Sequence, residues 1–331
     1  MDTLLKVYGC GGCGINIVSK LTLPDAPGMP DYAKAFIDTS EANIREEDRD
    51  DFFLVPGMRG AGGVPKETHA FAHDKADMIL RESKPGTMNI IVFGLAGGSG
   101  CLLGSLIAGE LAKRGVPAIC LAVGSTDSKR ETQNTINILS TLERMSVKYA
   151  KAPIPMKYFL NTYVKETPPY AAAGPRDLVD EKVIESILKI ALVCSEKNEE
   201  LDRQDVNNWV FYGTPTELPP QLVDVIITQS GPKLHQFRDK IISLLSLLPS
   251  RESEVPAIRS AYSKKGYYNE DVMNESGGEI EPIFMATTHA YRETRLADLQ
   301  DELNEYTQVA EKLSAASEAN FDDDSDDPFV L

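Results

Sequence analysis

The chain has 331 residues, of which 42% are hydrophobic and 25% charged, and its formal net charge is −16. This length is sufficient for two domains with separate cores, and the composition is that of a globular, soluble protein. The acidic balance argues against nucleic acid or an anionic membrane as a general partner, because both require a basic surface. No apolar run approaches the roughly 20 residues of a membrane span, and five cysteines without a disulfide framework predict a reducing cytoplasm.

Strands and helices alternate over the first half of the chain. Apolar runs predict strands at Leu4–Tyr8, Ala35–Asp38, Phe52–Val55, Asn89–Phe93, Pro117–Val123 and Met156–Tyr163. Helical spacing predicts helices at Ile15–Leu21, Lys66–Glu82, Glu131–Tyr149 and from Leu106 onward. This alternation predicts a doubly wound parallel sheet, in which ligands bind beyond the carboxyl ends of the strands.

Three glycine-rich turns form the clearest functional pattern, and each directly follows a predicted strand. They lie at Gly9–Gly14, Gly60–Gly63 and Gly97–Gly104, and we call them the first, second and third glycine turns. Because the carboxyl ends of parallel strands share one edge of a sheet, we expect all three turns to open on the same edge. Such turns aim backbone N–H groups at an anion, usually phosphate. A dinucleotide site needs only one such turn, whereas three converging turns suit a polyphosphate. The chain has no Walker-type G-x-x-x-x-G-K-[ST] motif, so the phosphates would be held mainly by backbone amides.

Two other chemistries also fit the first glycine turn. The turn matches G-x-G-x-x-G, and Asp38 ends the second predicted strand where a ribose-binding acid belongs, so an NAD-dependent oxidoreductase is an alternative. That alternative does not account for the other two turns. Cys10 and Cys13 have the C-x-x-C spacing of a redox pair, but two incidental thiols in a crowded turn is the simpler interpretation.

The second half begins with a long apolar helix predicted at Leu178–Glu196, and a polar, acidic segment follows it. We call residues 198–206 the acidic loop. A smaller α/β region is predicted beyond it, with a strand at Leu222–Thr228, a helix at Lys233–Leu248 and a strand at Pro282–Thr288. A final helix is predicted at Tyr291–Asn320, before a tail with five Asp in six residues and an apolar end.

In combination, these motifs resemble the tubulin/FtsZ superfamily. The resemblance is carried by Ala96-Gly97-Gly98-Ser99-Gly100, by Arg59-Gly60-Ala61-Gly62-Gly63 and by the acidic loop after a long central helix. The segment 201–210 and the acidic tail look more closely like the tubulins of large bacteriophages. The resemblance implies an α/β, tubulin-like fold: a Rossmann-type GTPase domain with a parallel sheet, a long central helix, a smaller α/β C-terminal domain, a long C-terminal helix and an acidic tail. The GTPase domain would span residues 1–174, the central helix 175–197 and the C-terminal α/β domain 198–289. The C-terminal helix would span 290–320 and the acidic tail 321–331.

The same resemblance implies a GTPase that assembles head to tail into dynamic filaments, with GTP or GDP and Mg²⁺ as its cofactors. Asp202 and Asp205 of one subunit would then orient the water that attacks the nucleotide of another, since positioning is most of what this chemistry needs. At i and i+3 they share one face of a helix start, where acids are also favoured by the helix dipole alone. A nucleotide-stabilised scaffold that does not hydrolyse GTP is therefore a further alternative.

Other site residues are implied position by position. Nucleotide-binding residues of the glycine turns would be Gly11, Gly12, Cys13, Gly14, Ala61, Gly62, Gly63, Gly97, Gly98, Ser99, Gly100 and Cys101. Asp38 would lie near the phosphate-bound Mg²⁺, and Asp180 would read guanine by accepting from N1–H and the 2-amino group. Asp127 and Glu131 are candidates for the ribose. An aromatic residue often stacks on the base in this family; here that place holds Arg176, and Tyr170 is a possible substitute.

The chain departs from the family pattern beside the first predicted catalytic residue. Where cellular FtsZ has an Asn two residues before its first catalytic Asp, this chain has Glu200, which changes the surroundings of the attacking water.

The C-terminal tail concerns assembly. The tail from Asp322 to Leu331 is expected to dock on a neighbouring subunit, although a disordered solubilising end is the alternative. The resemblance further implies filaments that position phage DNA or a phage nucleus in the host bacterial cytoplasm, with phage capsids or the nucleus shell as possible partners.

Overall fold

The computed structural model describes residues 5–23, 28–57, 75–148, 152–161, 175–229, 234, 237, 240–275, 280–288 and 290–322. Its strands are β1 (Leu5–Cys10), β2 (Tyr32–Asp38), β3 (Phe52–Leu54), β4 (Met88–Gly94), β5 (Ala118–Gly124), β6 (Ile154–Leu160), β7 (Asn198–Glu199), β8 (Leu222–Thr228), β9 (Ile241–Leu248), β10 (Tyr262–Tyr268) and β11 (Ile283–Thr288). Its helices are α1 (Gly11–Lys20), α2 (Lys75–Glu82), α3 (Ser99–Arg114), α4 (Lys129–Lys148), α5 (Pro175–Val193), α6 (Arg203–Val210), α7 (Gly213–Thr216), α8 (Glu270–Glu275) and α9 (Ala290–Asp322), with a 3₁₀ helix at Glu46–Asp51.

One mixed sheet runs through the molecule in the order β3-β2-β1-β4-β5-β6-β8-β11-β9-β10-β7. The strands from β3 to β8 are all parallel, as the alternation of strands and helices predicts. Beyond β8 the sheet changes character, because β11 is antiparallel to both β8 and β9. The sheet therefore continues directly from the predicted nucleotide-binding half into the C-terminal half.

The central strands are buried on both faces, which explains their nearly continuous apolar sequence. On one face, Val7 of β1 and Val92 of β4 pack in a core with α1 and with Ile187 of the central helix α5. On the other face, the neighbouring residues Tyr8 and Phe93 pack in a second core with α3 and α4. The alternation of side chains along each strand thus separates two cores, and the glycine turns emerge where the strands end.

The helix predicted at Lys233–Leu248 is wrong over its second half, where Ile241–Leu248 forms strand β9. The Ile-Ile-Ser-Leu-Leu-Ser-Leu-Leu sequence repeats its serines every three residues, which imitates a helical period. All eight residues are buried, because β9 lies between β11 and β10 in the sheet. The hydroxyl of Ser243 hydrogen-bonds Thr287 and the Trp209 carbonyl, so a buried serine is satisfied within a strand.

Most remaining elements agree with the predicted ones to within a few residues, although α3 begins at Ser99 and not at Leu106. The 3₁₀ helix, β7, α7, β10 and α8 had no predicted counterpart. Of the helix predicted at Lys66–Glu82, residues 75–82 are helical and the rest lies outside the described residues. None of the helices in the described part of the chain is long and apolar enough to cross a membrane.

Candidate functional site

The first and third glycine turns meet at the carboxyl edge of the sheet. Strands β1 and β4 are hydrogen-bonded neighbours, so the turns that follow them are adjacent. Gly11 has a φ of +66°, and a Cβ placed on it would lie only 2.5 Å from the backbone nitrogen of Gly100. A Cβ on Gly100 would lie 2.7 Å from the carbonyl oxygen of Cys10. Only glycine allows the two backbones to approach this closely.

Helices α1 and α3 both begin at this junction, and neither has a side-chain cap. Their N-cap residues, Cys10 and Gly98, make no side-chain hydrogen bond to the first turn of the helix. Free N–H groups and the positive ends of two helix dipoles therefore face the same space, as an anion site requires. A Cβ on Gly97 would meet no atom within 4 Å, so this glycine borders open space at the junction. The arrangement suits phosphate groups held by backbone amides.

The end of β2 is joined to the third glycine turn through side chains. Asp38 is buried, and its Oδ1 accepts from the Thr39 backbone N–H at 2.7 Å. The Thr39 hydroxyl lies 2.7 Å from that of Ser99, the first residue of α3. Asp38 is thus placed beside the third glycine turn, near Ser99. Among the described residues no group of three or more His, Cys, Asp or Glu side chains is placed to hold a metal ion.

Cys10 and Cys101 are buried beside the glycine turns. Burial raises the pKa of Cys10 far above its usual value, and it raises the pKa of Cys101 to about 12. The Cys101 Sγ donates to the carbonyl oxygens of Gly97 and Gly98, which braces the third glycine turn. A redox pair needs an accessible thiolate, so the burial of Cys10 argues against C-x-x-C redox chemistry with Cys13.

The turn after β5 brings Asp127 and Glu131 to the same edge of the sheet. The Glu131 carboxylate accepts from the Ser125 hydroxyl at 2.7 Å, and that hydroxyl also accepts from the Asp127 backbone N–H at 3.3 Å. Asp127 itself is exposed. At the same turn, the Tyr306 hydroxyl of α9 donates to the carbonyl oxygen of Thr126.

Asp180, the predicted guanine reader, is paired with a lysine. Its Oδ2 lies 2.7 Å from the Lys20 Nζ, and Lys20 also contacts Asp177 at 3.0 Å. Lys20 ends α1, about 13 Å along the helix axis from Gly11, a separation comparable to the length of a nucleotide. Arg176 lies in the first turn of α5, and its side chain is outside the described part of the structure.

Asp202 and Asp205 form a capping box at the start of α6. The Asp205 N–H donates to Asp202 Oδ1 at 2.9 Å, and the Asp202 N–H donates to Asp205 Oδ2 at 3.2 Å. Asp205 is held further by β10, because Tyr262 donates to its Oδ1 at 3.3 Å and Lys264 lies 3.2 Å from its Oδ2. The pKa of Tyr262 is raised to about 12, chiefly by burial, so its hydroxyl remains a donor. Asp202 is exposed, whereas Asp205 is partly buried and engaged on both oxygens.

The acidic loop lies at the edge of the sheet opposite the glycine turns. The amino end of β1 is beside residue 31, since the Leu5 N–H donates to the Asp31 carbonyl. At this edge a Cβ on Gly28 would lie 3.9 Å from Leu192, near the end of α5. Asn198 of the acidic loop donates to the backbone carbonyl oxygen of Leu192 at 2.8 Å. The six-residue strand β1 separates the edges by about 20 Å, so glycine turns and acidic loop of one molecule do not meet.

Three polar residues near the glycine turns were missed by the sequence analysis. Thr39 bridges Asp38 and Ser99, Asn134 donates to the Ala96 carbonyl at 3.1 Å, and the Asn43 amide lies against Gly12. Thr39 could have been found from its position at the end of a predicted strand. Asn134 could not, because it lies in the middle of a helix with no local motif. Ala61, Gly62, Gly63, Tyr170 and the tail beyond Asp322 lie outside the described residues.

Comparisons with known proteins agree with this geometry. A phage tubulin-like protein of Pseudomonas phage PhiPA3 is 29% identical over 252 residues, which are 76% of this chain and 74% of that protein. The structure of the phage tubulin PhuZ with GDP matches with a TM-score of 0.80 at 25% identity, covering 94% of this chain and 93% of that one. The PhuZ201 filament matches with a TM-score of 0.79 at 23% identity, with the same coverage. No protein-family model matches the chain.

Proposed function

Because the chain belongs to the tubulin/FtsZ superfamily and is similar to the phage tubulins, we propose that it is a GTPase whose active site forms between two subunits of a head-to-tail filament. Its relatives and structural neighbours favour this interpretation over the NAD-dependent oxidoreductase. The GDP complex of a phage tubulin with the same fold supports guanine nucleotide as the ligand. The PhuZ201 filament supports self-assembly.

The observation that carries the proposal is the position of the two halves of the site. The uncapped starts of α1 and α3 lie at one edge of the sheet, and the acidic loop lies at the other. Neither half is complete by itself: the glycine turns carry no carboxylate of their own, and the start of α6 in the acidic loop is already capped by Asp202 and Asp205. Translation of one subunit along the strand direction brings the acidic loop of one copy onto the glycine turns of the next. This arrangement makes assembly a requirement for hydrolysis.

In the nucleotide-binding half, the backbone does most of the binding. The amides around Gly11 and Gly97–Gly100 would hold the phosphates, and α1 and α3 would add the positive ends of their dipoles. Thr39 and Asn134 fix the third glycine turn in place before the ligand arrives. Asp127 and Glu131 lie at the same edge and are proposed to contact the ribose. Mg²⁺ would neutralise charge on the phosphates, with Asp38 nearby to accept from its water shell.

In the catalytic half, we assign different tasks to the two carboxylates. Asp202 is exposed and has only Oδ1 engaged by the cap, so its other oxygen can accept from the attacking water. Asp205 is held by Tyr262, Lys264 and the Asp202 N–H, so it fixes the start of α6 and adds negative charge behind Asp202. Positioning of the attacking water, together with electrostatic stabilisation of the phosphates, is most of what a protein contributes to phosphoryl transfer.

Assembly and cellular role are proposed from the resemblance and from the chemistry of the tail. The tail combines five Asp in six residues with the apolar end Pro328-Phe329-Val330-Leu331, which suits docking into a basic groove of a neighbouring subunit. The filament would act in the host bacterial cytoplasm, where it would position phage DNA or a phage nucleus. Phage capsids or the nucleus shell are the corresponding partners.

The test is phosphate release from GTP and from ATP over a range of protein concentrations, with sedimentation of the same samples. We expect turnover of GTP alone, with a specific activity that rises with concentration together with pelletable polymer. Activity per molecule that is independent of concentration, without polymer, would contradict a shared site. Polymer that forms with GTP but releases no phosphate would instead identify a nucleotide-stabilised scaffold.

A further inference from the structure

One residue of the acidic loop has an unfavourable backbone conformation. Glu200 has a φ of 60°, in the left-handed region that normally selects glycine or asparagine. It lies two residues before Asp202 and directly after β7, which is the edge strand next to β10 in the sheet. A strained conformation persists only where surrounding contacts hold it. The contacts that hold Glu200 therefore also set the position of Asp202.

Strand β10 supplies the backbone part of this support. Tyr267 pairs with Glu199 and Tyr268 with Asn198, which attaches β7 to the sheet by a short antiparallel pairing. Gly266 lets the acidic loop approach closely, since a Cβ there would lie 2.8 Å from the Glu199 carbonyl oxygen. This pairing ends at Glu199, so it does not reach Glu200 itself.

Arg251 supplies the support for Glu200. Its guanidinium forms an ion pair with the Glu200 carboxylate and lies 3.5 Å from the Glu199 carboxylate. The same guanidinium lies 4.9 Å from the centre of the Tyr267 ring, which is a cation–π distance. Arg251 thus bridges β10 and two consecutive carboxylates of the acidic loop. The planar guanidinium of arginine can stack on an aromatic ring while its N–H groups donate to two carboxylates. The compact ammonium group of lysine cannot make both kinds of contact in this way.

We infer that Arg251 is a positioning residue of the GTPase site: it holds Glu200 in its left-handed conformation and thereby places Asp202 for its action on the neighbouring subunit's nucleotide. This inference rests on the proposed function of the acidic loop. Arg251 itself lies beside the loop and contacts the carboxylates of Glu199 and Glu200, so its effect is on turnover and not on nucleotide binding.

The test uses the full chain and three variants. For Arg251→Ala we expect unchanged binding of a fluorescent GTP analogue below the assembly concentration, and phosphate release per polymerised subunit lower by about tenfold, as displacement of a catalytic group produces. Arg251→Lys should recover only part of the rate. In the double variant Arg251→Ala/Glu200→Asn the rate should recover to within about twofold, because asparagine adopts a positive φ more readily than glutamate and keeps a polar side chain beside the attacking water.

Hydrogen exchange separates this inference from the proposed function. We expect the amides of residues 198–202 to exchange faster in Arg251→Ala than in the parent, and to do so whether or not the protein hydrolyses GTP. Parental exchange and parental turnover in Arg251→Ala would overturn the inference, and so would a double variant as slow as Arg251→Ala. Faster exchange with no GTPase activity in any variant, the parent included, would leave the tether in place and reject the proposed function.

Discussion

At the scale of single residues, the central question is whether one carboxylate serves both structure and the proposed chemistry. Asp202 caps α6 through Oδ1, and its exposed position leaves the rest of the carboxylate available. The two roles make different demands, because a cap needs only an acceptor oxygen whereas orientation of an attacking water benefits from negative charge. Substitutions at this position can therefore separate them.

We predict that Asp202→Asn keeps the fold and loses the activity. Asparagine is as good an N-cap as aspartate, so the thermal midpoint should stay near that of the parent. Phosphate release per polymerised subunit should fall by at least about tenfold, as loss of a positioned carboxylate does. Asp202→Ala is the matched control, because it loses the cap as well and should lower the free energy of unfolding by about 1 kcal/mol. Parental turnover in Asp202→Asn would assign the residue to capping alone.

At the scale of secondary structure, the N-terminal half could be predicted from the sequence because its buried strands are apolar runs, and β1, β2 and β4 end at a glycine turn or a carboxylate. The C-terminal half could not be predicted as well. The spacing of the serines in β9 imitates a helical period. The segment is a strand because it pairs with β11 and β10 in the sheet, and these long-range pairings cannot be read from the local sequence. The hydrogen bond that Tyr262 donates to Asp205 of the acidic loop could not be predicted either. Tyr262 is 57 residues from Asp205 and belongs to a strand that the sequence pattern does not predict.

The pair between α1 and α5 is an element-scale contact with a specific consequence. If Asp180 reads guanine, Lys20 holds it in place, and the carboxylate accepts from N1–H and the 2-amino group of the base. Asp180→Asn then presents an amide N–H₂ to that amino group, which is a donor–donor conflict. Xanthine carries a carbonyl at this position and can accept instead. We therefore predict that Asp180→Asn lowers affinity for GTP by about tenfold and raises affinity for xanthosine triphosphate.

Competition of the two nucleotides for a fluorescent GTP analogue measures this change in preference. Lys20→Ala is the matched control, since it breaks the same exposed ion pair while keeping the carboxylate. It should retain the preference for GTP and change stability by less than about 1 kcal/mol. If Asp180→Asn keeps the parental preference as well, the residue serves only to join the two helices.

At the scale of the whole molecule, the two edges of the sheet can be inactivated separately. Gly97 borders open space, so the side chain of Gly97→Val should fit without disturbing the fold while it fills the space proposed for phosphate. Asp202→Asn leaves that space intact and removes only the negative charge of Asp202 from the acidic loop. Each variant alone forms only incomplete sites, because every contact between its copies lacks the same half.

A mixture of the two variants tests the shared site directly. At a contact between them, the intact glycine turns of Asp202→Asn can meet the intact acidic loop of Gly97→Val, and this combination is complete. We predict that the mixture releases phosphate from GTP at a rate well above the sum of the separate variants, and that the gain grows with total concentration. Thermal unfolding of each variant controls for folding. A site contained within one molecule would give no gain at any ratio, because each subunit would then carry its own defect.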